Sequence, residues 1–368
     1  MSRVVAPTLP RLRVGPSLPR FAGEGKLAPS PAKRGRAGEG WGGGNVPMTR
    51  FLASRLLQAL VVLLLMSFVI TVLMTLMPGD PVDMMLAGNP RATPADAARL
   101  KALYGLDKPL LERYGHWLQA ALMGDFGFSR LYAQPVLTIL LPRLGNTLLL
   151  LGAAMALTLA VALPLGVYAA RRPYGWADNA INLFCFAGIS VPAFWLALLL
   201  ILLFAVELQW LPASGLGPVG GEGWWERLPY LVLPVASLTL ASIGGYTRYV
   251  RAAMMGELRQ DYVRTARAKG LGEGRVVWRH ALRNATIPIV TIVALEFGAL
   301  FSGALVTETM FAWPGMGKLI YDSIMGNDLN VALVALLFAT LTTLAGNLLA
   351  DAAYAGLDPR ISFKGDGA

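Results

Sequence analysis

This sequence predicts an all-α polytopic membrane protein. Six transmembrane helices are expected, with a helical insert after the first and a polar loop between the fourth and fifth. Three observations predict it. Hydrophobic residues make up 55% of the 368 positions and charged residues only 15%, with a mean hydropathy of +0.54; soluble domains carry about 25% charged residues. The apolar residues gather into runs long enough to span a hydrocarbon core, which takes about 20 residues. Lys and Arg gather between those runs, as they do in loops on the inner side of a membrane.

The first element is a segment without apolar periodicity. Residues 1–47 are rich in Gly, Pro, Arg, Ser and Ala and read as a disordered basic extension. They lack the apolar core of a secretory signal. They hold eight Lys/Arg and two Glu, so +6 of the formal net charge of +10 sits there. The high pI is therefore no sign of nucleic-acid binding. A polybasic tail against anionic lipid is one reading. The other is that Met48 is the true start, because Met48-Thr49-Arg50-Phe51 leads straight into the first span.

Residues 48–79 hold that span, an uncharged run over 56–77 preceded by Arg50 and Arg55, and Pro78-Gly79-Asp80-Pro81 ends it. Residues 80–143 form an extracytoplasmic insert with two short helices. Thr93 caps the first, Pro94 takes its first turn, Asp96 completes the box and Gly105 ends it, with Leu100, Leu103 and Tyr104 on its apolar side. The second runs over about 109–123 with Gly124 as its stop. Its apolar face carries Leu110, Tyr114, Trp117, Leu118 and Ala121, and the two aromatic residues suit the headgroup level.

Residues 144–361 hold the five remaining spans. They are expected near 144–170, 181–206, 231–254, 288–310 and 331–349, with residues 362–368 as a short tail. Pro164 and Ser190-Val191-Pro192 mark candidate breaks, which either line a path or are packing kinks. Gly244-Gly245 allow close backbone approach. Glu296 and Glu308 are acids within a membrane helix, which is costly and marks a functional candidate. Together with Pro192 they are the translocation-path candidates. A carboxylate bonded to a neighbouring helix is the competing reading of Glu296. Cys185 is the one cysteine, and His116 and His280 lie far apart, so no metal cluster is expected. Neither histidine sits at bilayer depth beside a serine, which excludes a serine hydrolase within the membrane.

The most informative stretch is the Arg-rich island over 257–291, within a loop drawn at 256–286. Two short helices fit it. Leu258, Tyr262, Ala266 and Lys269 share a face of the first, and Gly270 supplies a chain reversal. Val276, Val277, His280 and Ala281 lie on one side of the second, and Arg275, Arg279 and Arg283 on the other. Ile287-Pro288 is expected to open the fifth span, with proline in its first turn.

The island resembles the cytoplasmic coupling loop of ATP-binding-cassette (ABC) importer permeases. The triplet Arg264-Thr265-Ala266, the glycine Gly270 and the pair Ile287-Pro288 carry the resemblance. The triplet departs from the family-wide Glu-Ala-Ala, and the gap from Gly270 to Pro288 is long. Both features resemble the dipeptide/oligopeptide/nickel branch, as do Pro78-Gly79-Asp80-Pro81, the segment over 303–317 and the ending Leu357-Asp358-Pro359-Arg360-Ile361. The resemblance implies a loop that enters a groove on a separate ATPase, with Arg264, Thr265, Ala266, Lys269, Gly270, Val276, Val277 and Pro288 as the coupling residues. It also implies a second homologous permease chain, two ATPase chains holding ATP-Mg, an extracytoplasmic solute-binding protein, and a bacterial inner membrane with both termini cytoplasmic. No cofactor is expected on this chain, and ATP hydrolysis is expected on its partners. Di- or oligopeptide is the implied solute, with nickel, glutathione or another peptide-like compound as alternatives. The segment before Lys318 is no phosphate loop, because Ala312 stands where the glycine is needed. A proton-coupled secondary transporter using Glu296 and Glu308 is the other class to weigh.

Overall fold

A computed structural model describes residues 48–76, 82, 86, 93–103, 107–218, 220 and 223–357. The side chains of residues 48–52, 103, 294–303 and 350–357 lie outside the description. So do the 1–47 extension, Pro78-Gly79-Asp80-Pro81, Tyr104, Gly105 and the ending from Asp358. The described residues are helical apart from turns and one isolated bridge, Phe128 with Pro135.

Helix α1 spans Met48–Thr75. The insert supplies α2, Pro94–Leu103, and α3, Leu110–Leu122. The expected box caps α2: the Thr93 backbone N–H and hydroxyl both donate to Asp96, at 2.9 and 2.7 Å. Gly124 stops α3 with φ +84, a conformation glycine adopts without strain. Tyr114 and Trp117 stack at 6.3 Å, and the Tyr114 hydroxyl meets Ser67 on α1 at 2.7 Å. Those aromatic groups therefore dock α3 on α1.

Helix α4 runs unbroken over Val136–Arg171 and contains both Pro142 and Pro164. The break expected at Pro164 does not occur. The one expected at Pro192 does: α5, Trp176–Ser190, and the next helix, from Ala193 to Glu207, meet at a 98° bend. The second limb is α6, Ala193–Leu200, continued by a π-helical segment, Ile201–Glu207. Proline explains the corner, since the residue before it is driven out of the helical region, and Val191 sits at φ −88, ψ 125.

Helix α7, Trp224–Glu257, packs along α4 and α5 through glycines. A Cβ on Gly166 would come within 2.6 Å of Val250, and one on Gly244 within 2.5 Å of the Cys185 carbonyl. Gly245 has no such neighbour. Within the polar loop lies α8, Asp261–Ala268, and after it come α9, Leu282–Met310, α10, Met316–Met325, and α11, Leu329–Leu357.

Among the described residues four helices are long and apolar enough to cross a membrane, and the bent pair makes a fifth span if counted as one. The remaining expected span falls on α9, 29 residues long, whose Glu296 side chain lies outside the description.

Candidate functional site: a cationic loop and the elbow at the other end

The loop is seated on the C-terminal ends of α4 and α7. One apolar cluster joins Val167 and Ala170 of α4, Val250 and Met254 of α7, Val263 and Ala266 of α8, and Val276, Val277, Ala281, Ala285 and Ile289. Burying that many aliphatic side chains stabilises the seat, at about 1.5–3 kcal/mol for each one fully enclosed. Beside it, Arg251 of α7 forks onto Asp178 of α5 with two bonds of 2.6 Å. Asp178 also accepts from the Tyr174 N–H at 2.7 Å and from Asn182 at 2.8 Å. A buried carboxylate held this way is rigid, because both of its oxygens are engaged.

Helix α8 ends at Ala268, and Gly270 turns the chain at φ +77 with open space where a Cβ would go. Arg267 and Glu273 clip the turn from both sides, at 3.0 and 2.6 Å. The Arg267 guanidinium holds the Glu273 carboxyl below its ordinary range. A three-residue helical turn and then a π-helical segment, Val276–Ala281, lead without a break into α9.

Three expectations change here. Ala266, Val276 and Val277, expected among the coupling residues of a loop that enters an ATPase groove, are buried inside this chain instead. Lys269 does not share a face with Ala266: it caps α8 at φ −77, ψ 4, outside the helix, and is exposed. Pro288 is not in the first turn either. Because the π segment feeds directly into α9, that helix begins at Leu282 and Pro288 lies inside it. The carbonyl that thereby loses its donor belongs to Asn284, an exposed residue.

What the loop exposes is mostly cationic and aromatic, with Asp261 and Glu273 as exposed acids beside Arg264 and Arg267. Arg264, Thr265, Arg267, Lys269, Gly270, Arg275 and Arg279 face outward. Trp278, 51% exposed, is the large apolar group among them, with Tyr262 at 36%. Burial, and then its hydrogen bond to Glu257, push the Tyr262 hydroxyl up to about 12, so it stays a donor. Sequence reasoning passes over Trp278. An indole beside Val276 and Val277 in an otherwise polar run is the available signal.

The other end of α4 meets an elbow between α9 and α10. Glu308 is fully buried there. It accepts a 2.6 Å bond from the Thr147 hydroxyl and a 2.9 Å bond from the Lys318 N–H. Thr147 accepts in turn from the Met316 N–H at 2.8 Å. Asn146 donates to the Pro314 carbonyl at 2.9 Å and accepts at its own carbonyl from the Trp313 indole at 3.2 Å. Glu308, a path candidate by sequence, is in the structure a strut that caps the first turn of α10, where a negative charge is favoured. Pro192 sits at the corner of the bent pair.

The comparisons with known proteins agree with this architecture. Residues 162–363 match the model of the binding-protein-dependent transport system inner membrane component, and residues 48–151 match that of its N-terminal region. The chain is 38% identical over 318 residues to the oligopeptide transport system permease protein AppB of Bacillus subtilis, covering 86% of this chain and all of that one. It is 36% identical over 317 residues to the glutathione transport system permease protein GsiC of Escherichia coli, covering 86% and 100%. Among solved structures, the MetNI methionine ABC transporter in inward-facing form matches with a TM-score of 0.50 at 17% identity, over 60% of this chain and 97% of that one. The chain is therefore a member of the binding-protein-dependent transport system inner membrane component family, a multi-pass membrane permease component of an ABC transporter.

Proposed function

We propose that this chain forms one half of the translocation path of an ATP-driven importer for di- or oligopeptides. Six spans carry the path, α9 being the fifth. The Gly270 loop faces the cytoplasm and seats in a groove of a separate ATPase chain, which holds ATP-Mg and does the hydrolysis. A second homologous permease, a second ATPase and an extracytoplasmic binding protein complete the assembly. The names of the relatives support peptide as the solute class.

One observation carries the coupling reading. The exposed loop surface is an Arg-rich face around one indole, and its buried side is welded to α4, α7 and α9. An aromatic anchor with a cationic rim suits an acidic groove on a partner. The weld transmits rigid-body motion of the loop to the bundle rather than absorbing it. A proton-coupled reading loses Glu308, which is enclosed.

The test is ATP-dependent uptake of a labelled dipeptide in vesicles holding the whole assembly. Trp278→Ala and Arg279→Glu should each cut uptake at least tenfold and release the ATPase chains on purification, with the permease still inserted. Ala266→Glu is the poorer probe, because it would put a carboxylate into the seat. Undiminished uptake with both surface variants would refute the coupling role.

A further inference from the structure

The insert end holds a feature the transport reading does not use. A cavity of about 790 Å³ opens between α1, α3, the segment over 128–133 and the α10–α11 turn. That volume lies within the range of small-molecule sites, about 300–1,000 Å³. Its wall carries three permanent cations, Lys108, Arg113 and Arg130, together with His116. The carboxylate in the wall, Asp328, is already engaged: it accepts from the Ser129 hydroxyl at 2.6 Å and the Leu131 N–H at 2.9 Å. Lys108 is paired with Glu112 at 2.8 Å. Arg113 has no ion pair among the described residues, and Arg130 donates to the Gly326 carbonyl. The wall also carries Met74, Leu333 and the 59%-exposed ring of Phe128.

We infer that this cavity is a binding site for a carboxylate carried on a partly apolar body, and that its occupant is the C-terminal carboxylate of a short peptide. Arg113 and Arg130 supply the charge, and a guanidinium matches a carboxylate in a planar fork. Phe128, Met74 and Leu333 take the side chains. The site would hold cargo at the insert, against the ends of α1 and α11, before it enters the path. The peptide identity rests on the proposed function, whereas the anion preference rests on the cavity alone.

The experiment uses the full chain in phosphatidylcholine nanodiscs and a photoreactive dipeptide, alanyl-benzoylphenylalanine, as free acid and as C-terminal amide. The acid should label residues 113–117 or 128–133, mapped by mass spectrometry, and the amide at least tenfold less. Arg113→Gln should bring the acid down to the level of the amide, and Arg113→Lys should retain most of the labelling. Equal labelling by acid and amide, or adducts confined to other segments, would overturn the site. Labelling abolished when half the lipid is phosphatidylglycerol would assign the cavity to a lipid phosphate and overturn the peptide assignment. If dipeptide uptake by the assembly proves ATP-independent while acid and amide still differ, the proposed function fails and the anion site stands.

Discussion

The Gly270 loop and the Glu308 elbow are built from the same kinds of residue and use them oppositely. Each has charges next to glycines at a helix junction. At the loop the charges are outside, and Gly270 is needed for its φ of +77, with nothing close to it. At the elbow the charge is inside, and the glycines are needed for room: a Cβ on Gly315 would come within 2.1 Å of the Glu308 carboxyl, and one on Gly317 within 2.9 Å of the Leu305 backbone. One glycine permits a shape and the others permit a contact. The first kind of site tolerates substitution and presents a surface. The second does not tolerate it and presents none.

Substitutions should separate the two. The largest effect is expected at the elbow. Gly315→Ala and Glu308→Ala should each cost about 3 kcal/mol or more, the first by overpacking against the Glu308 carboxyl and the second by orphaning both the Thr147 hydroxyl and the Lys318 N–H. Thermal unfolding in detergent reads this, and a Tm within error of the parent for both would deny the elbow its role as a strut. Next comes Asp178→Ala, which strips the partner from Arg251 beside the loop seat. About 3 kcal/mol should be lost, and Arg251→Ala on top of it should cost little more, because the pair acts as one unit. A fully additive double variant would contradict that.

Gly270→Ala should cost only about 1 kcal/mol, the strain of a left-handed residue in open space. A loss as large as that of Gly315→Ala would show that the loop, too, is limited by room. The smallest effect concerns Arg267 and Glu273. The folded carboxyl is held below its ordinary 4.5, so the stability it adds is present above that value and fades as pH falls through the folded one. Both side chains are more than 40% exposed, at 42% and 46%, so screening leaves little of it. The protection of the Gly270 and Leu271 amides, measured relative to the intrinsic exchange rate at each pH, should fall slightly in acid and in high salt; indifference to both would show that the backbone alone holds the turn.

Much of this architecture is legible in the amino-acid sequence. The cap of the first insert helix, the stop at Gly124 and the corner at Pro192 follow from capping residues, glycine and proline, which act locally. Gly244 is legible as a close approach for the same reason. Pro164 misleads, because a proline bends a helix only as far as its neighbours allow, and α4 is braced by α7 through Gly166. The burial of Ala266, Val276 and Val277 cannot be read. An apolar face on a short helix says that something covers it, not whether the cover is this chain or another. Glu308 fails for a related reason: its partners Thr147 and Lys318 lie 161 and 10 residues away, and the first pairing exists only once α4 and α9 cross.

Helix α4 has a consequence of its own. It is 36 residues long, and Ala170, in the loop seat, and Thr147, bonded to Glu308, stand roughly 35 Å apart along one rod at 1.5 Å per residue. No joint interrupts that rod. Whatever grips the lower end therefore holds a crowbar whose fulcrum is the Gly166–Val250 contact, and the tip that swings is the one on which the elbow rests.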